Sequence, residues 1–414
     1  MILTSTSRIA GIIGLVVPFV WSTVSMGNQS APEAERSGRW SRVIDESLGV
    51  VEGDPLLIDE SVVSLKTASA TSVVRPVEDV LAIIVGPSTA RDITISDRMA
   101  STRAGDDVSI ETSYIELVDG QRIPGSLHAD QKGRPIWRSA WVRDIPFDLE
   151  EIRAIRLQDG AVVPEVTESD VIVLSNGDRL PGLVLEVGTE VEMEVERSNG
   201  DLDVIRVPID RIASISLLNP LQPRSGTMVW FRGGHRIASD SIQMGDDGYV
   251  RLLGPAVGGD TAEIPSEFLI GVLTEAGRVD PIASMDIVVG EGSNGGLRPW
   301  IPGPKVSAGH HPLDASPVLF EGPLEATIKL PREGCRFMAT VERPMESGPG
   351  RSILRIFDGD RELESIELTP ESPVHPVRVR LSGDRLVLRI DDGGDGPFHD
   401  SIMFREAVVI RPRN

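Results

Sequence analysis

The stretch IELVDGQRIPG, residues 115–125, decides the fold, because the chain repeats its pattern twice at a constant interval. Residues 172–182 read IVLSNGDRLPG and residues 229–239 read VWFRGGHRIAS, each 57 positions after the copy before it. Self-similarity at a fixed spacing is typical of tandem modules built on one plan. Each copy places two apolar runs around Asp-Gly, Asn-Gly or Gly-Gly, dipeptides that favour tight hairpin turns. The sequence therefore predicts a β-hairpin at the start of each repeat.

Each repeat also closes on a similar phrase, in which a proline and a short polar segment precede an apolar strand. The phrases are PFDLEEIRAIRL (146–157), PIDRIASISL (208–217) and PSEFLIGVL (265–273). A fourth copy, PVEDVLAIIV (76–85), indicates a degenerate first repeat. We therefore predict four β repeats joined by polar linkers. The predicted repeats are 40–87, 113–166, 167–222 and 223–285, and the predicted linkers are 26–39, 88–112 and 286–308.

The repeat resembles the small five-stranded SH3-like or Sm-like β-barrel, in its order of an apolar strand, Asn/Asp-Gly, a second strand and glycine. The resemblance implies tandem barrel-like modules of about 50 residues. A meander that packs all the repeats into one continuous sheet explains the same pattern and stays open. Sm proteins bind RNA, but the formal net charge of this chain is -22. Such a chain repels phosphate backbones, so we expect no nucleic-acid partner.

The C-terminal part, residues 309–414, has a different composition, with seven short apolar strands in about 90 residues. This spacing is typical of a β-sandwich or jelly roll. Its segments RFMATV (336–341), FDG (357–359) and 377–409 resemble the NPCBM/NEW2 family of carbohydrate-binding-type modules. The resemblance implies a sandwich fold and a glycan ligand. The family closes on Asp-His-Ala-Asp-Trp, whereas this chain has DSIMF at 400–404.

Candidate ligand-binding residues of the sandwich lie in and after a glycine-rich acidic loop. Asp391, Asp392 and Asp395 supply hard oxygen ligands on one short segment, which suits Ca²⁺ better than Mg²⁺. A solvated turn without a metal explains the same residues. Asp400 follows closely, and Phe404 occupies the place of the family's tryptophan. The resemblance implies that this loop and Phe404 contact the ligand.

Trp137 and Trp141 form a second candidate binding site, in repeat 2. Residues separated by an even number share a face of a β-strand, so both rings could stack on a sugar or on a protein partner. Packing in the core explains them equally, since aromatic side chains bury readily.

The N-terminus predicts export. Arg8 precedes an apolar run from Ile9 to Trp21, and small residues follow it, so residues 1–25 read as a signal peptide with cleavage near Ser25 or Gly27. The run is short for a bilayer span, although an uncleaved tether stays open. After cleavage we expect no transmembrane span. The one cysteine, Cys335, lies in a predicted strand and is expected to be a buried, inert thiol.

Motifs for catalysis are absent from the sequence: it contains neither G-x-S-x-G nor H-E-x-x-H. We therefore expect an exported, non-enzymatic, mainly β protein. Its sandwich would bind carbohydrate, and its repeats would serve as a spacer or interaction platform with a glycan or an envelope protein as partner. The alternative is a structural or assembly protein of the cell envelope without a glycan ligand.

Overall fold

The computed structural model describes residues 39–54, 56–59, 61–87, 113–197, 199–254, 261–291, 303–307, 311–344, 350–391, 393–394 and 400–413. The predicted signal peptide, the linker 88–112 and all but one residue of the linker 26–39 lie outside these ranges. The described chain is mainly β, as the sequence predicts, and its helical elements are single 3-10 turns. None of the described helices is long and apolar enough to cross a membrane.

The strands of the four repeats are as follows. Repeat 1 contains β1 (Arg39–Asp45), β2 (Val50–Gly53), β3 (Leu56–Ile58), β4 (Val62–Lys66), β5 (Ser72–Pro76) and β6 (Val80–Pro87). Repeat 2 contains β7 (Tyr114–Leu117), β8 (Arg122–Pro124), β9 (Ser126–Ala129), β10 (Pro135–Arg138), β11 (Ile145–Pro146) and β12 (Ile152–Arg156). Repeat 3 contains β13 (Asp170–Leu174), β14 (Arg179–Val187), β15 (Glu190–Glu196), β16 (Leu202–Pro208) and β17 (Ile212–Ser216). Repeat 4 contains β18 (Thr227–Phe231), β19 (His235–Ser239), β20 (Ser241–Met244), β21 (Tyr249–Leu253), β22 (Thr261–Pro265) and β23 (Leu269–Leu273).

All four repeats share one plan. The first strand pairs on one side with the last strand and on the other with the start of the second strand, whose continuation pairs with the third. In repeats 1, 2 and 4 a break divides the second strand into two short strands, while β14 runs through. A 3-10 turn precedes every last strand: Val77–Asp79, Leu149–Glu151, Ile209–Arg211 and Ser266–Phe268. The closing phrases of the sequence are therefore these turns with the strands that follow them.

The repeats join through their last strands in two pairs, repeats 2 and 3 and repeats 1 and 4. In the first pair Ile155 of β12 lies opposite Ile215 of β17. In the second pair Ile83 of β6 lies opposite Val272 of β23. These four residues hold the same position in their repeats, since each also pairs with an equivalent residue of its own first strand, namely Val43, Ile115, Ile172 or Val229. Both pairs therefore use one self-complementary junction, which we call the last-strand junction.

A different junction links repeat 2 to repeat 4. Arg122 at the start of β8 pairs with Arg236 of β19, and the two arginines are equivalent positions of the 57-residue repeat. We call this contact the second-strand junction. The result is one 14-stranded sheet in which the repeats follow the spatial order 3, 2, 4, 1. The continuous sheet left open by the sequence is thus present, and its repeats are not in sequence order.

Charged side chains surround the second-strand junction. Glu116 accepts hydrogen bonds from Arg122 at 2.7 Å and from Arg153 at 3.2 Å. Arg236 is 9% exposed, and both oxygens of Asp314 lie 2.8 Å from its Nη1. Arg224 donates to the same carboxylate at 2.6 Å. Each of the two facing arginines is therefore bound by a carboxylate, and one of these, Asp314, belongs to the C-terminal sandwich.

The sandwich is formed by two five-stranded antiparallel sheets around one apolar core, and an additional short strand joins the first sheet. The first sheet has the order β26 (Lys305–Val306), β27 (Val318–Glu321), β34 (Ser401–Ile410), β29 (Arg336–Glu342), β32 (Val374–Arg380), and β24 (Val279–Pro281) also pairs with β34. The second has the order β25 (Ile287–Glu291), β28 (Leu324–Lys329), β33 (Arg385–Asp391), β30 (Ser352–Asp358), β31 (Arg361–Leu368). Further 3-10 turns lie at Arg232–Gly234, Ala276–Arg278, Ile282–Ser284 and Pro312–Asp314.

The sandwich begins earlier than residue 309, where the sequence placed its start. β24 lies within the range predicted for repeat 4 and pairs with β34, while β25 lies in the predicted linker 286–308 and pairs along its whole length with β28. The sequence hid this because the glycines and prolines that follow β25 dominate the composition of the segment. A fragment that starts at 309 lacks three strands, β24, β25 and the short β26.

The outer face of the first sandwich sheet is buried against repeats 1 and 4. Met338, Val408 and Ile410 pack in one cluster with Leu81 of β6 and Trp230 of β18. Ion pairs surround this cluster, including Arg278 with Glu46 at 2.7 Å. The sandwich therefore shares a buried interface with repeats 1 and 4.

We expect the free energy of unfolding of the fragment 279–414 to exceed that of the fragment 309–414 by at least about 2 kcal/mol. The shorter fragment loses Ile282, which is fully buried in the sandwich core, and a buried isoleucine alone contributes about 1.5–3 kcal/mol. Urea titrations followed by circular dichroism measure the difference. Equal stability of both fragments would show that β24 and β25 are dispensable.

Candidate functional site

A cleft of about 560 Å³ opens between repeats 2 and 3. One wall is β9 with the turn that follows it, and the other is the hairpin that joins β14 to β15. The polar lining groups are Ser113, Ser126, His128, Glu186, Thr189, Glu190, Glu192 and Arg206. Leu127, Pro135, Leu157 and Ile209 add apolar surface. Cavities of about 300–1,000 Å³ with a few convergent polar groups are typical of ligand sites.

Both walls of the cleft are fixed to the core. The last-strand junction of Ile155 and Ile215 joins the two repeats beneath it, and both isoleucines are fully buried. Two further bonds tie the segments beside the cleft: Leu157 donates from its backbone to Ala213 at 2.9 Å, and Ser113 donates to the carbonyl of Leu157 at 3.0 Å. The cleft is therefore preformed, which lowers the entropy cost of binding.

Some charged groups of the cleft are bound by neighbouring side chains, and others are not. Arg206 forms an ion pair with Glu192 at 2.7 Å. His128 shares a hydrogen bond of 2.9 Å with Ser126, two residues before it on β9. Within the described part of the chain, no hydrogen bond or ion pair engages the exposed carboxylates of Glu186 and Glu190. These two carboxylates are free to accept hydrogen bonds from a ligand.

A second cleft, of about 650 Å³, lies between repeats 1 and 4 near the equivalent hairpins. The two repeats are joined beside this cleft by β3 and β20, which pair through Ile58 and Met244. Two of its three charged side chains, Asp59 and Arg251, are engaged locally: the backbone N–H groups of Ser61 and Val62 hold the pKa of Asp59 below its usual value. Arg251 is bound by Asp247 and Glu263. The cleft between repeats 2 and 3 is therefore the better candidate site.

Trp137 and Trp141 do not form one stacking platform. β10 ends at Arg138, so Trp141 lies beyond the strand and the shared face expected from the sequence does not exist. Trp137 is 0% exposed in the core. Trp141 is half-buried and packs against repeat 4, with ring centroids 5.2 Å from both Phe231 and His235. Core packing, the alternative that the sequence left open, describes both rings.

The predicted sandwich site is described in part. Phe404 is 0% exposed and packs edge-to-face on Phe320 at 5.2 Å, so its ring presents no face to a sugar in this structure. Asp391 forms an ion pair with Arg355 at 3.3 Å, and Asp400 is buried at the start of β34. Asp392 and Asp395 lie outside the described residues. The predicted Ca²⁺ site therefore stays a prediction; no group of three metal-ligating side chains occurs among the described residues.

Cys335 matches its expectation. The side chain is 0% exposed, and burial raises the pKa of its thiol, which disfavours the reactive thiolate.

Sequence reasoning missed the cleft. Its two walls come from repeats 2 and 3, and each wall alone reads as an ordinary polar hairpin. The available signal was the run of four alternating glutamates from Glu190 to Glu196, which places all four acidic side chains on the side of β15 opposite Val191 and Met193.

Comparisons with known proteins give weak similarities. No family model and no curated protein matches the chain. Among solved structures, a CBM51 module of a Clostridium perfringens GH95 protein in complex with methyl-galactose has 18% identity and a TM-score of 0.22, covering 32% of this chain and 91% of that one. The CBM51-2 and INT domains of Clostridium perfringens ZmpB, in complex with GlcNAc, have 8% identity and a TM-score of 0.27. That alignment covers 44% of this chain and 43% of the other, less than half its length.

The tandem CBM51 modules of a Streptococcus pneumoniae family 98 glycoside hydrolase have 10% identity and a TM-score of 0.24, covering 60% of this chain and 89% of that one. At these TM-scores the similarities carry no argument about function. The resemblances to NPCBM/NEW2 modules and to SH3-like or Sm-like barrels stay predictions.

Proposed function

We propose that this chain is an exported, non-catalytic binding scaffold that holds a carbohydrate in the cleft between repeats 2 and 3. The observation that carries the proposal is the cleft itself, a preformed cavity with two free carboxylates beside an arginine and an imidazole. Sugar hydroxyls both donate and accept hydrogen bonds, so carboxylates and a guanidinium match them. Leu127 and Pro135 offer apolar surface for the C–H face of a ring.

The charges of the cleft also support a neutral, hydroxyl-rich ligand. Three glutamates face one arginine, and Arg206 is already paired with Glu192. An anionic ligand would be repelled by the remaining carboxylates. A neutral ligand that donates hydrogen bonds meets no such penalty.

A binding role rather than catalysis is supported by the surroundings of His128. A nucleophilic serine needs a base that a third group orients, together with donors for the developing oxyanion. Ser126 and His128 lie side by side on one exposed strand. In the described ranges, no carboxylate is hydrogen-bonded to His128.

The proposal predicts that Glu190→Ala weakens binding of a retained glycan at least about tenfold, equivalent to about 1.4 kcal/mol. Loss of a hydrogen bond to a charged group typically costs about 1.5–3 kcal/mol. The matched control is Glu196→Ala, which removes the same charge from the same strand β15 but lies outside the cleft. A glycan array on the exported protein identifies the ligand, and isothermal titration calorimetry measures both variants.

Three outcomes would contradict the proposal. If the array retains no glycan, the ligand is not a carbohydrate. If both variants weaken binding equally, the effect comes from overall charge and not from the cleft. Full affinity in Glu190→Ala, with binding lost after substitution of Asp400, would move the site to the sandwich.

A further inference from the structure

The repeat array leaves one strand edge unpaired at each end. The order 3, 2, 4, 1 alternates last-strand, second-strand and last-strand junctions. At one end β2 of repeat 1 pairs with β1, and at the other the start of β14 in repeat 3 pairs with β13. Among the described strands nothing pairs with their outer edges. These are the same edges through which repeats 2 and 4 join each other.

Burial shows that the two ends are incomplete in the same way. Ile123 of repeat 2 and Ile237 of repeat 4 lie next to the second-strand junction and are 0% exposed. Their equivalents at the free ends are Val51 of repeat 1 and Leu180 of repeat 3, as the strand registers show. Both are only half-buried. The apolar residue that a junction covers is thus partly open at each end.

The end formed by repeat 3 also exposes apolar side chains next to its free edge. Leu183 is 53% exposed, Leu202 is 65% and Val204 is 49%. Leu183 of β14 and Val204 of β16 lie on the same face of the sheet, on either side of β15, because both pair with Glu194. Glu194 lies between these two side chains on the same face, so a carboxylate separates the exposed apolar residues.

We propose that the free edge of repeat 1 pairs with the free edge of repeat 3 in a second copy of this chain, so that copies extend the array head to tail. The contact continues the alternation inside the chain, because the next junction after a last-strand junction is a second-strand junction. Val50 then faces Arg179, the positions held by Arg122 and Arg236 within the chain. This role corresponds to the assembly alternative and is independent of ligand binding in the cleft.

Electrostatics favours this head-to-tail contact over a two-fold contact of repeat 3 with itself. A two-fold contact places Arg179 against Arg179 of the other copy. Inside the chain two facing arginines are tolerated because Glu116 and Asp314 bind them. Repeat 3 has Val173 at the position of Glu116, so the like charges would stay uncompensated. Opposite the neutral Val50, Arg179 meets no such repulsion.

Cross-linking tests the contact directly. The double variant Val50→Cys, Arg179→Cys should give a ladder of covalent dimers, trimers and longer species with a short bis-maleimide, since Cys335 is buried and unreactive. The control Val50→Cys, Arg197→Cys places the second thiol on repeat 3 away from the edge and should give no ladder. Dimers from Arg179→Cys alone would overturn the head-to-tail contact in favour of a two-fold one. Equal ladders from both double variants would show that the cross-links come from random collision, and would overturn the proposed contact.

Sedimentation velocity on the unmodified protein gives a second measurement. The weight-average mass should rise with concentration past twice the 44.7 kDa of the chain, with no plateau at the dimer. Arg179→Pro removes one backbone donor from the free edge and should hold the protein at the monomer mass, with an unchanged circular dichroism spectrum. A protein that stays monomeric at all concentrations and gives no ladder would refute the proposal.

Discussion

Asp314→Ala is expected to lower the free energy of unfolding by about 2–4 kcal/mol, because it removes the carboxylate that neutralises a buried guanidinium. Arg236 is 9% exposed and would keep Glu116, at 3.4 Å, as its one carboxylate partner, together with the carbonyl of Gly120. Arg224 and the indole N–H of Trp230 would lose the same acceptor. Urea titration of both proteins measures the loss. Unchanged stability would show that the second-strand junction does not depend on this ion cluster.

The matched control is Asp360→Ala. Asp360 also pairs with an arginine, Arg385 at 3.0 Å, but its side chain is 97% exposed. Exposed pairs are screened by solvent and contribute little. A comparable loss in both variants would therefore attribute the effect to charge rather than to burial.

The stability lost in Asp314→Ala should depend on pH. Burial raises the pKa of Asp314, but Arg236 and Arg224 outweigh it and hold this pKa below the usual aspartate range. A lowered pKa means that the stabilisation is fully present above the unfolded-state value and is lost as pH falls through the folded-state value. The stability gap between wild type and Asp314→Ala should therefore be constant near neutral pH and narrow below about pH 4.

The sequence predicts the local structure of the repeats well because hairpins depend on nearby residues. Gly120 and Gly177 have φ values of 83° and 89°, the left-handed region that the predicted turns require. The prolines of the closing phrases, Pro76, Pro208 and Pro265, stand immediately before the 3-10 turns as the repetition implies.

The order of the repeats could not be predicted, because it depends on which strand edges meet. The last strand of repeat 3, Ile212–Ser216, is buried at every residue, serines included, a property that only the structure shows. Its two edges pair with β12 of repeat 2 and β13 of repeat 3, so it lies inside a sheet that two repeats share.

The candidate site was predicted less well than the fold. Trp137 and Phe404 were chosen for their chemistry, but large apolar rings in a chain with 4% aromatic residues are needed in its cores. The alternating glutamates of β15 are typical of the solvent-facing side of a strand, and this is how they lie within repeat 3 alone. They become a candidate site only because repeat 2 stands opposite.

Gly182→Ala is expected to destabilise the protein by about 1–3 kcal/mol or more, because a methyl group has no room where the second strand of repeat 3 turns from its first-strand partner to its third-strand partner. An ideal Cβ on Gly182 would lie 2.3 Å from the carbonyl oxygen of Glu194. Backbone atoms cannot rotate away as a side chain can, so β14 and β15 must separate. The equivalent Gly53 meets the carbonyl of Lys66 at the same 2.3 Å.

Repeat 4 shows how a side chain can be accepted at this position. Ser239 replaces the glycine there, and its single hydroxyl proton can be donated to the carbonyl of Leu253 or to that of Ser241, which lie 2.8 and 2.7 Å from its oxygen. Alanine has no donor to offer at Gly182, so its Cβ would approach a carbonyl without a compensating bond. We therefore expect Gly182→Ser to be less destabilising than Gly182→Ala, although the smaller side chain would ordinarily be tolerated better. Gly188→Ala, in the same hairpin with its nearest atom at 3.8 Å, is the control and should leave the melting temperature nearly unchanged. A larger loss for Gly188→Ala than for Gly182→Ala would refute the close approach at this bend.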